Sequence, residues 1–262
     1  MTQQTVELID HYGTDLTPVN AARVSMNKES GWVEDNSYND LDEAEAFAAK
    51  VGGSIAYDYV YSNDWMGGYP VVYMKESDKK LIKYLADHGH TSCFEHQSAT
   101  LRLKVPIFVA RQIHRHRTFA YNEVSRRYVK DELEFYWPDK WRKAADNVKQ
   151  GSSDEVATIM YEDGIMSSDA TLEYDVKFDV GLVIQWYKWM LEKGIAPEQA
   201  RMILPQNLMT TFYMSGNLRN WAHFLKLRLD PHAQKEIRDV AEMVRDLLTP
   251  LWPISMGALM NV

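Results

Sequence analysis

Arginines, histidines and short polar side chains cluster between residues 111 and 127. The cluster reads Arg111-Gln-Ile-His-Arg-His-Arg117 and continues as Tyr121-Asn-Glu-Val-Ser-Arg-Arg127. Guanidinium groups bind phosphate oxygens through two parallel hydrogen bonds, so repeated arginines suit a phosphorylated ligand. The interleaved amide and hydroxyl groups suit a flat polar ring. The pattern indicates a site that holds a phosphate beside a ring, with a solvated basic surface as the alternative.

The charge of this region differs from that of the rest of the chain. Residues 101–130 contain eight basic residues and one acidic residue, whereas the whole chain of 262 residues has a net charge of -8. A basic window in an acidic protein predicts an anionic substrate, cofactor or partner. A nucleic-acid-binding module is one alternative and would show strongly salt-dependent binding. The acidic remainder disfavours it, and we expect no nucleic-acid partner.

Three histidines, His88, His90 and His96, fall within nine residues. Zinc accepts imidazole ligands, so a metal hydrolase is a second alternative. No His-Glu-x-x-His motif accompanies the histidines, and structural or cofactor-facing roles are favoured over a metal site. Cys93, the only cysteine, lies in the same stretch without an obvious activating base. We expect it to be an inert packing thiol.

A third group of polar residues lies between residues 201 and 232. Arg219, His223 and Lys226 recur at helical spacing beside an apolar stripe, so they form either an exposed face or a functional row. The stripe itself is predicted to be core and consists of Leu218, Trp221, Ala222, Leu225 and Leu229.

The elements that position these clusters are predicted to be mixed. Residues 97–105 alternate between apolar and polar side chains, which is typical of an antiparallel strand with one solvent-exposed face. No regular strand–helix–strand alternation occurs, so an α+β fold is favoured over a doubly wound sheet. Further strands are predicted at 5–9 and 208–214, and helices at 17–26, 41–51, 77–87, 106–117, 171–193, 197–204, 217–229 and 232–248.

Three details of these helices are specific enough to be tested. Thr17 and Ser77 are predicted to be the N-caps of their helices. The helix over 106–117 would place Arg111 and Arg115 four residues apart on one face.

The composition excludes several classes of protein. Hydrophobic residues make up 45% and charged residues 25%, which is typical of a globular protein and not of a disordered chain or a disulfide scaffold. No run of 18 apolar residues occurs, and the first residues do not resemble a signal peptide, so a cytoplasmic protein without a membrane partner is expected. We expect one domain over residues 1–262 with an acidic insertion around 28–73.

Arg115-His-Arg117 is followed, after seven intervening residues, by Ser125. This arrangement resembles the RHR-x7-S signature of the flavin-dependent thymidylate synthase (ThyX) family. Other segments match the family in the same order, and these are residues 21–25, 94–96, 106–112, 200–205 and 217–234.

The resemblance implies a mixed fold in which an antiparallel sheet packs with long helices. It implies that dUMP is converted to dTMP, with a methylene from 5,10-methylenetetrahydrofolate and a hydride from FAD reduced by NADPH. The expected partners are therefore dUMP, the folate and further copies of the chain, because the family forms homotetramers with active sites built from several subunits.

The resemblance also implies site residues. Arg228 matches the arginine that stabilises the ionised uracil ring, by electrostatics and without a cysteine nucleophile. His223 and Arg126 depart from the family pattern, in which Asn and a small residue are common at these positions. The implied FAD contacts are His90, Ser92, Arg115, His116, Arg117, Glu123, Asn217, Leu218, Arg219 and His223. The implied dUMP contacts are Gln112, Ile113, His114, Arg115, Glu123, Val124, Ser125, Arg126, Arg127, Arg201 and Arg228.

Overall fold

The computed structural model describes residues 3–56, 68–127, 133–145, 152–157, 159–160, 166–167 and 169–260. The chain divides into two units. The first comprises residues 1–10, 99–216 and 223–247, and the second comprises residues 11–98, 217–222 and 248–262. The single domain with an acidic insertion around 28–73 stays a prediction.

The strands are distributed along the chain as follows. They are β1 (Thr5–Tyr12), β2 (Val33–Asp35), β3 (Ser54–Ile55), β4 (Val71–Tyr73), β5 (Ser98–Pro106), β6 (Ala120–Glu123), β7 (Arg142–Ala144), β8 (Ser152–Val156), β9 (Ile159–Met160), β10 (Met166–Ser167) and β11 (Met209–Asn217).

The helices alternate irregularly with these strands. They are α1 (Leu16–Arg23), α2 (Leu41–Val51), α3 (Glu76–Asp87), α4 (Ile107–Ile113), α5 (Asp169–Glu192), α6 (Pro197–Ala200), α7 (Leu218–Arg228), α8 (Lys235–Leu248) and α9 (Pro253–Met260). Single turns of 3₁₀ helix cover Val24–Met26, Thr91–Glu95 and Arg201–Ile203. Within the described ranges, none of the helices combines the length and the apolar character needed to cross a membrane.

A four-stranded sheet with the order β1-β5-β11-β6 organises the first unit. The alternation in β5 is confirmed, because Leu101, Leu103 and Val105 are fully buried. Strands β11 and β6 pair antiparallel, with Phe212 opposite Glu123. This pairing places Glu123, which lies within the arginine-rich segment 111–127, on the edge strand of the sheet.

The long helix α5 is apolar on two faces. One face packs through Val180 against Phe135 and Leu208. The other face leaves large apolar side chains at least two fifths exposed, namely Tyr174, Phe178, Leu182, Trp186 and Trp189. A helix that is apolar all round normally buries both faces. The outward stripe is therefore an apolar surface that this chain leaves exposed.

The second unit contains a small antiparallel sheet with the order β2-β4-β3. Helix α2 packs on it through Ala44 and Ala48, which form a separate core with Val71. Asp40 caps this helix by accepting a hydrogen bond from the Glu43 backbone N–H at 3.0 Å. Much of the acidic segment thus has a core of its own and turns its acidic side chains outward.

Two predicted helix caps are wrong. Helix α1 begins at Leu16, so Thr17 lies inside it, and its hydroxyl accepts a hydrogen bond from the Thr14 backbone N–H. The residue at the N-cap position, Asp15, instead accepts hydrogen bonds from the backbone N–H groups of Ile254 and Ser255, at the start of α9. Helix α3 begins at Glu76, so Ser77 is not its cap.

The helix predicted over 106–117 is also shorter than expected. Pro106 lies at the N-cap position as its fixed backbone geometry favours, but α4 ends at Ile113. The single hydrogen of the Tyr121 hydroxyl is shared between the carbonyl oxygens of Ile113 at 3.0 Å and His116 at 2.9 Å. These bonds satisfy carbonyl groups at and beyond the helix end. Arg115 lies in the turn that follows, so the expectation that one helix carries both Arg111 and Arg115 is wrong, although both residues line the same cavity.

Candidate active site

Two cavities in the first unit collect the residues of the arginine-rich cluster. The Glu123 cavity measures about 600 Å³ and is lined by residues that include Arg111, Glu123, Ser125, Arg126 and Arg201. The Arg228 cavity measures about 490 Å³ and is lined by Arg111, Gln112, Arg115, Arg228, His232, Ala233 and Gln234. Arg111 lines both cavities. The fold thus brings together side chains that lie more than 100 positions apart in the sequence.

Arg228 is held by neutral acceptors. Its Nε donates to Nε2 of His116 at 3.0 Å, and its Nη2 donates to the carbonyl oxygen of Gln112 at 3.2 Å. Within the described part of the chain, no Asp or Glu forms an ion pair with Arg228. Burial lowers the pKa of this guanidinium, because the surroundings solvate its charge less well than water does. The group is therefore oriented by the protein while its charge stays available to a ligand.

His116 is neutral in this arrangement. Burial, followed by the charges of Arg228 and His223, lowers the pKa of His116 to about 4. The ring is 7% exposed and packs edge-on against Phe224 at 5.0 Å. A neutral imidazole keeps one nitrogen as an acceptor, which is the role that the hydrogen bond from Arg228 requires.

A chain of polar side chains extends from Gln112 into the protein. The Gln112 Nε2 donates to Oε1 of Gln234, and the Gln234 Nε2 donates to Oε2 of Glu236 at 2.9 Å. The other carboxylate oxygen of Glu236 accepts from Arg142 Nη2 at 2.7 Å. Burial alone would raise the pKa of Glu236, but the hydrogen bonds from Arg142 and Gln234 outweigh it and lower the pKa. The chain therefore ends in an ionised pair that is almost completely buried.

The Glu123 cavity has a polar wall and several cationic groups. Oε1 of Glu123 accepts a hydrogen bond from the Thr210 hydroxyl at 2.6 Å, across β6 and β11. Ser125 Oγ accepts from the Arg127 backbone N–H at 3.3 Å, and this contact does not activate it as a nucleophile. Arg201 follows α6 at the first position of its 3₁₀ turn. The cavity fits an anionic group better than it fits a covalent mechanism.

Some predicted residues do not present a side chain to these cavities. Ile113 is fully buried, and His114 packs between the rings of Tyr121 and Phe212 at 4.6 and 4.9 Å. Arg117 and Arg127 are exposed and line neither cavity, whereas Val124 lines the Glu123 cavity. A ligand contact by Ile113 would have to use its backbone.

The remaining predicted residues gather in the second unit. Asn217 caps α7 by accepting from the Asn220 backbone N–H at 3.0 Å, and the buried Leu218 donates its N–H to the carbonyl of Gln97. Arg219 is half exposed and pairs with Glu95. His90 and Ser92 lie exposed at the 3₁₀ turn that contains the half-buried Cys93. The predicted polar row on α7 is therefore divided, since Arg219 belongs to the second unit and His223 to the first.

Four residues of the site were not predicted from the sequence, namely Gln234, Glu236, Arg142 and Thr210. Gln234 is the last residue of the segment 217–234 that matches the family, and only this match could have identified it from the sequence. The others carry no local pattern. Among the residues that the structure describes, no group of three His, Cys, Asp or Glu side chains is placed to hold a metal ion.

The mixed α+β fold and its arginine-lined cavities define a protein suited to phosphorylated ligands. The family model described as thymidylate synthase complementing protein matches residues 7–254. The chain therefore belongs to the flavin-dependent thymidylate synthase family, and the resemblance carried by Arg115, His116, Arg117 and Ser125 is confirmed.

Curated relatives agree with this assignment. A flavin-dependent thymidylate synthase of Thermotoga neapolitana is 33% identical over 249 residues, which cover 95% of this chain and 87% of the relative. One of Thermus thermophilus is 42% identical over 181 residues, which cover 69% of this chain. That match spans 63% of the Thermus protein, slightly less than two thirds of its length.

Solved structures confirm the predicted fold class. A UMP/dUMP methylase PolB from Streptomyces cacaoi, bound with 5-Br dUMP, has a TM-score of 0.68 at 28% identity and covers 100% of this chain and 96% of its own. The same methylase bound with 5-Br UMP has a TM-score of 0.71 at 27% identity and covers 100% and 95%. Both likenesses extend over the whole chain.

Proposed function

We propose that this protein is a methyltransferase that converts dUMP to dTMP, with 5,10-methylenetetrahydrofolate as the methylene donor and NADPH-reduced FAD as the hydride source. The observation that carries the proposal is the position of Arg228. Its guanidinium is held by two neutral acceptors in a cavity lined by two further arginines. Such a group suits an anionic form of a substrate ring, and the family membership supplies the reaction.

The substrate is proposed to bind through its phosphate and its ring separately. Arg126, Arg201 and Ser125 in the Glu123 cavity suit the phosphate, because guanidinium forks match its oxygens. Gln112 and Arg228 in the Arg228 cavity suit the ring. Arg111, which lines both cavities, suits the region between them. Binding at two ends fixes the orientation of the reacting carbon.

Ring activation is proposed to be electrostatic. Carbon 5 of uracil is a weak nucleophile until electron density is pushed into the ring. A fixed cation at the N3–C4 edge favours the electron-rich form of the ring, and a preorganised cation does so without reorganisation during the reaction. Carbon 5 then forms a bond to the methylene carbon and loses its proton, while the bonds from that carbon to the two folate nitrogens break and tetrahydrofolate leaves. Arg228 is the residue proposed to stabilise the charge.

The residues that match the family's flavin contacts fit such a cofactor chemically. In the second unit, the start of α7 and the half-exposed Arg219 suit a diphosphate, since helix N-termini and guanidinium groups attract anions. Arg115, His116 and His223, which belong to the first unit, are proposed as flavin contacts on the family match alone. Bound reduced flavin would supply the hydride that completes the methyl group, while the protein orients the substrate and provides the electrostatic environment.

Self-association as a homotetramer is proposed on the exposed stripe of α5. From Tyr174 to Trp189 the stripe is about 22 Å long at the helical rise of 1.5 Å per residue. Exposed aromatic patches of this extent mark interaction surfaces. A cytoplasmic enzyme that acts on dUMP and a folate is consistent with the lone Cys93, which forms no internal disulfide.

The purified protein tests the proposal directly. We expect a flavin absorbance band, and we expect dUMP to change the rate at which the protein oxidises NADPH. A colourless protein that does not bind FAD and does not respond to dUMP would refute the proposal.

A further inference from the structure

The polar chain that begins at Gln112 has a direction fixed by chemistry. Arg142 can only donate hydrogen bonds, and an ionised Glu236 can only accept them. Gln234 must therefore turn its amide N–H₂ toward Glu236, as its 2.9 Å contact shows. Its carbonyl oxygen then faces Gln112, so Gln112 must donate a hydrogen bond from its own N–H₂ group. Each amide orientation follows from the ion pair at the buried end.

This direction decides which end of the Gln112 amide remains for a ligand. The amide nitrogen is engaged with Gln234, so the oxygen Oε1 is the end left for the Arg228 cavity, which Gln112 lines. Arg228 contacts the same residue, because its Nη2 donates to the backbone carbonyl of Gln112, and both residues line this cavity. The cavity thus presents an acceptor beside a cationic donor.

We propose that Gln234 and Glu236 are positioning residues that hold Gln112 with its amide oxygen toward the substrate, so that Gln112 and Arg228 together select the edge of uracil over that of cytosine. The inference rests on the proposed function. In the neutral form in which it binds, before the ring is activated, uracil presents a carbonyl at carbon 4 beside an N–H at position 3, which complements a donor beside an acceptor. Cytosine presents an amino group and a bare ring nitrogen at these positions. Both contacts would then face like groups, and sites built around hydrogen bonds discriminate strongly against such mismatches.

The substitution Glu236→Gln tests the inference because it should invert the chain. Arg142 can only donate hydrogen bonds, so it would donate to the amide oxygen of the introduced glutamine. The N–H₂ group of that glutamine would then face Gln234. Gln234 and Gln112 would both turn over, and Gln112 would present N–H₂ to the substrate. We expect dUMP binding, measured by calorimetry on flavin-loaded protein, to weaken about 10- to 100-fold while dCMP binding strengthens.

Two further variants make the test specific. Gln234→Leu breaks the chain without inverting it, so dUMP should bind more weakly while dCMP does not bind better. Glu134→Gln is the matched control, because Glu134 pairs with Lys104 at 2.7 Å and belongs to neither cavity. Its dUMP affinity and its preference over dCMP should equal those of the wild type.

The outcomes separate the inference from the function on which it rests. If Glu236→Gln and Gln234→Leu fold, retain flavin and keep the wild-type preference for dUMP over dCMP, the inference is overturned and the proposed function stands. If Glu236→Gln does not fold, Gln234→Leu decides alone. A wild-type protein that binds neither nucleotide would overturn both.

Discussion

Replacing Arg228 with alanine removes the group to which the proposed mechanism assigns ring activation. The change deletes one cationic group and two donated hydrogen bonds, to His116 and to the carbonyl of Gln112. Loss of one preorganised donor typically lowers kcat by about 10²–10³-fold. Because Arg228 also carries a full charge, we expect a loss of about 10³-fold, which corresponds to about 4 kcal/mol of transition-state stabilisation.

The same substitution has a second consequence that does not depend on turnover. The charge of Arg228 is the second cause of the low pKa of His116, after burial. In Arg228→Ala the pKa of His116 should rise from about 4 but stay below its ordinary value, since burial persists. Titration of the imidazole by NMR measures this shift.

The assay for the first consequence is single-turnover formation of dTMP from dUMP, with flavin content measured in parallel. Arg238→Ala is the matched control, because Arg238 donates to the carbonyl of Pro231 and lines neither cavity. A folded, flavin-loaded Arg228→Ala variant with wild-type turnover would refute the assignment of ring activation. An unchanged pKa of His116 would refute the electrostatic description of the pocket.

Three further predictions concern stability and assembly. Tyr121→Phe should lower the free energy of unfolding by about 1 kcal/mol in chemical denaturation, because the hydrogen bond of the Tyr121 hydroxyl is lost while the Ile113 carbonyl keeps its bond from the His116 backbone N–H; an unchanged midpoint would contradict this. Since the pKa of His116 is about 4 in the folded state and 6.5 ordinarily, the unfolded state takes up the proton first as pH falls. Stability should therefore decrease between pH 6.5 and 4, by at most about 3 kcal/mol, and His116→Asn should lose this dependence in denaturation at several pH values. Trp186→Glu on the exposed stripe of α5 should shift the protein toward smaller species in analytical ultracentrifugation, whereas an unchanged mass would remove the stripe from the interface.

The sequence predicted elements well where the determinants are local. Helix α2 has the predicted bounds because Asp40 caps it and Gly52, at a φ of +60°, ends it within the same segment. Strand β5 follows its alternation of apolar and polar residues. In both cases the periodicity and the end signals lie within a dozen residues, so no distant contact is needed to set them.

Prediction failed where distant residues decide the local structure. Asp15 accepts a hydrogen bond from the backbone N–H of Ile254 at the start of α9 instead of capping its own helix. No periodicity within one segment reports such contacts.

The candidate site shows the same division between local and distant determinants. The arginine cluster was evident from residue types alone. The neutral state of His116 depends on burial and on Arg228, and the amide orientation of Gln112 depends on Glu236 and Arg142. These are properties of the folded environment, so the sequence could name the reacting groups but not their charge states or directions.

The central claim is that uracil is methylated without a thiol from the protein. Cys93 is the only cysteine in the chain, and it lies half-buried in the second unit. The most direct measurement compares dTMP formation by the wild type and by Cys93→Ala, with FAD, NADPH and 5,10-methylenetetrahydrofolate present. Both proteins should form dTMP at similar rates. A folded, flavin-bound Cys93→Ala variant that forms no dTMP would contradict it.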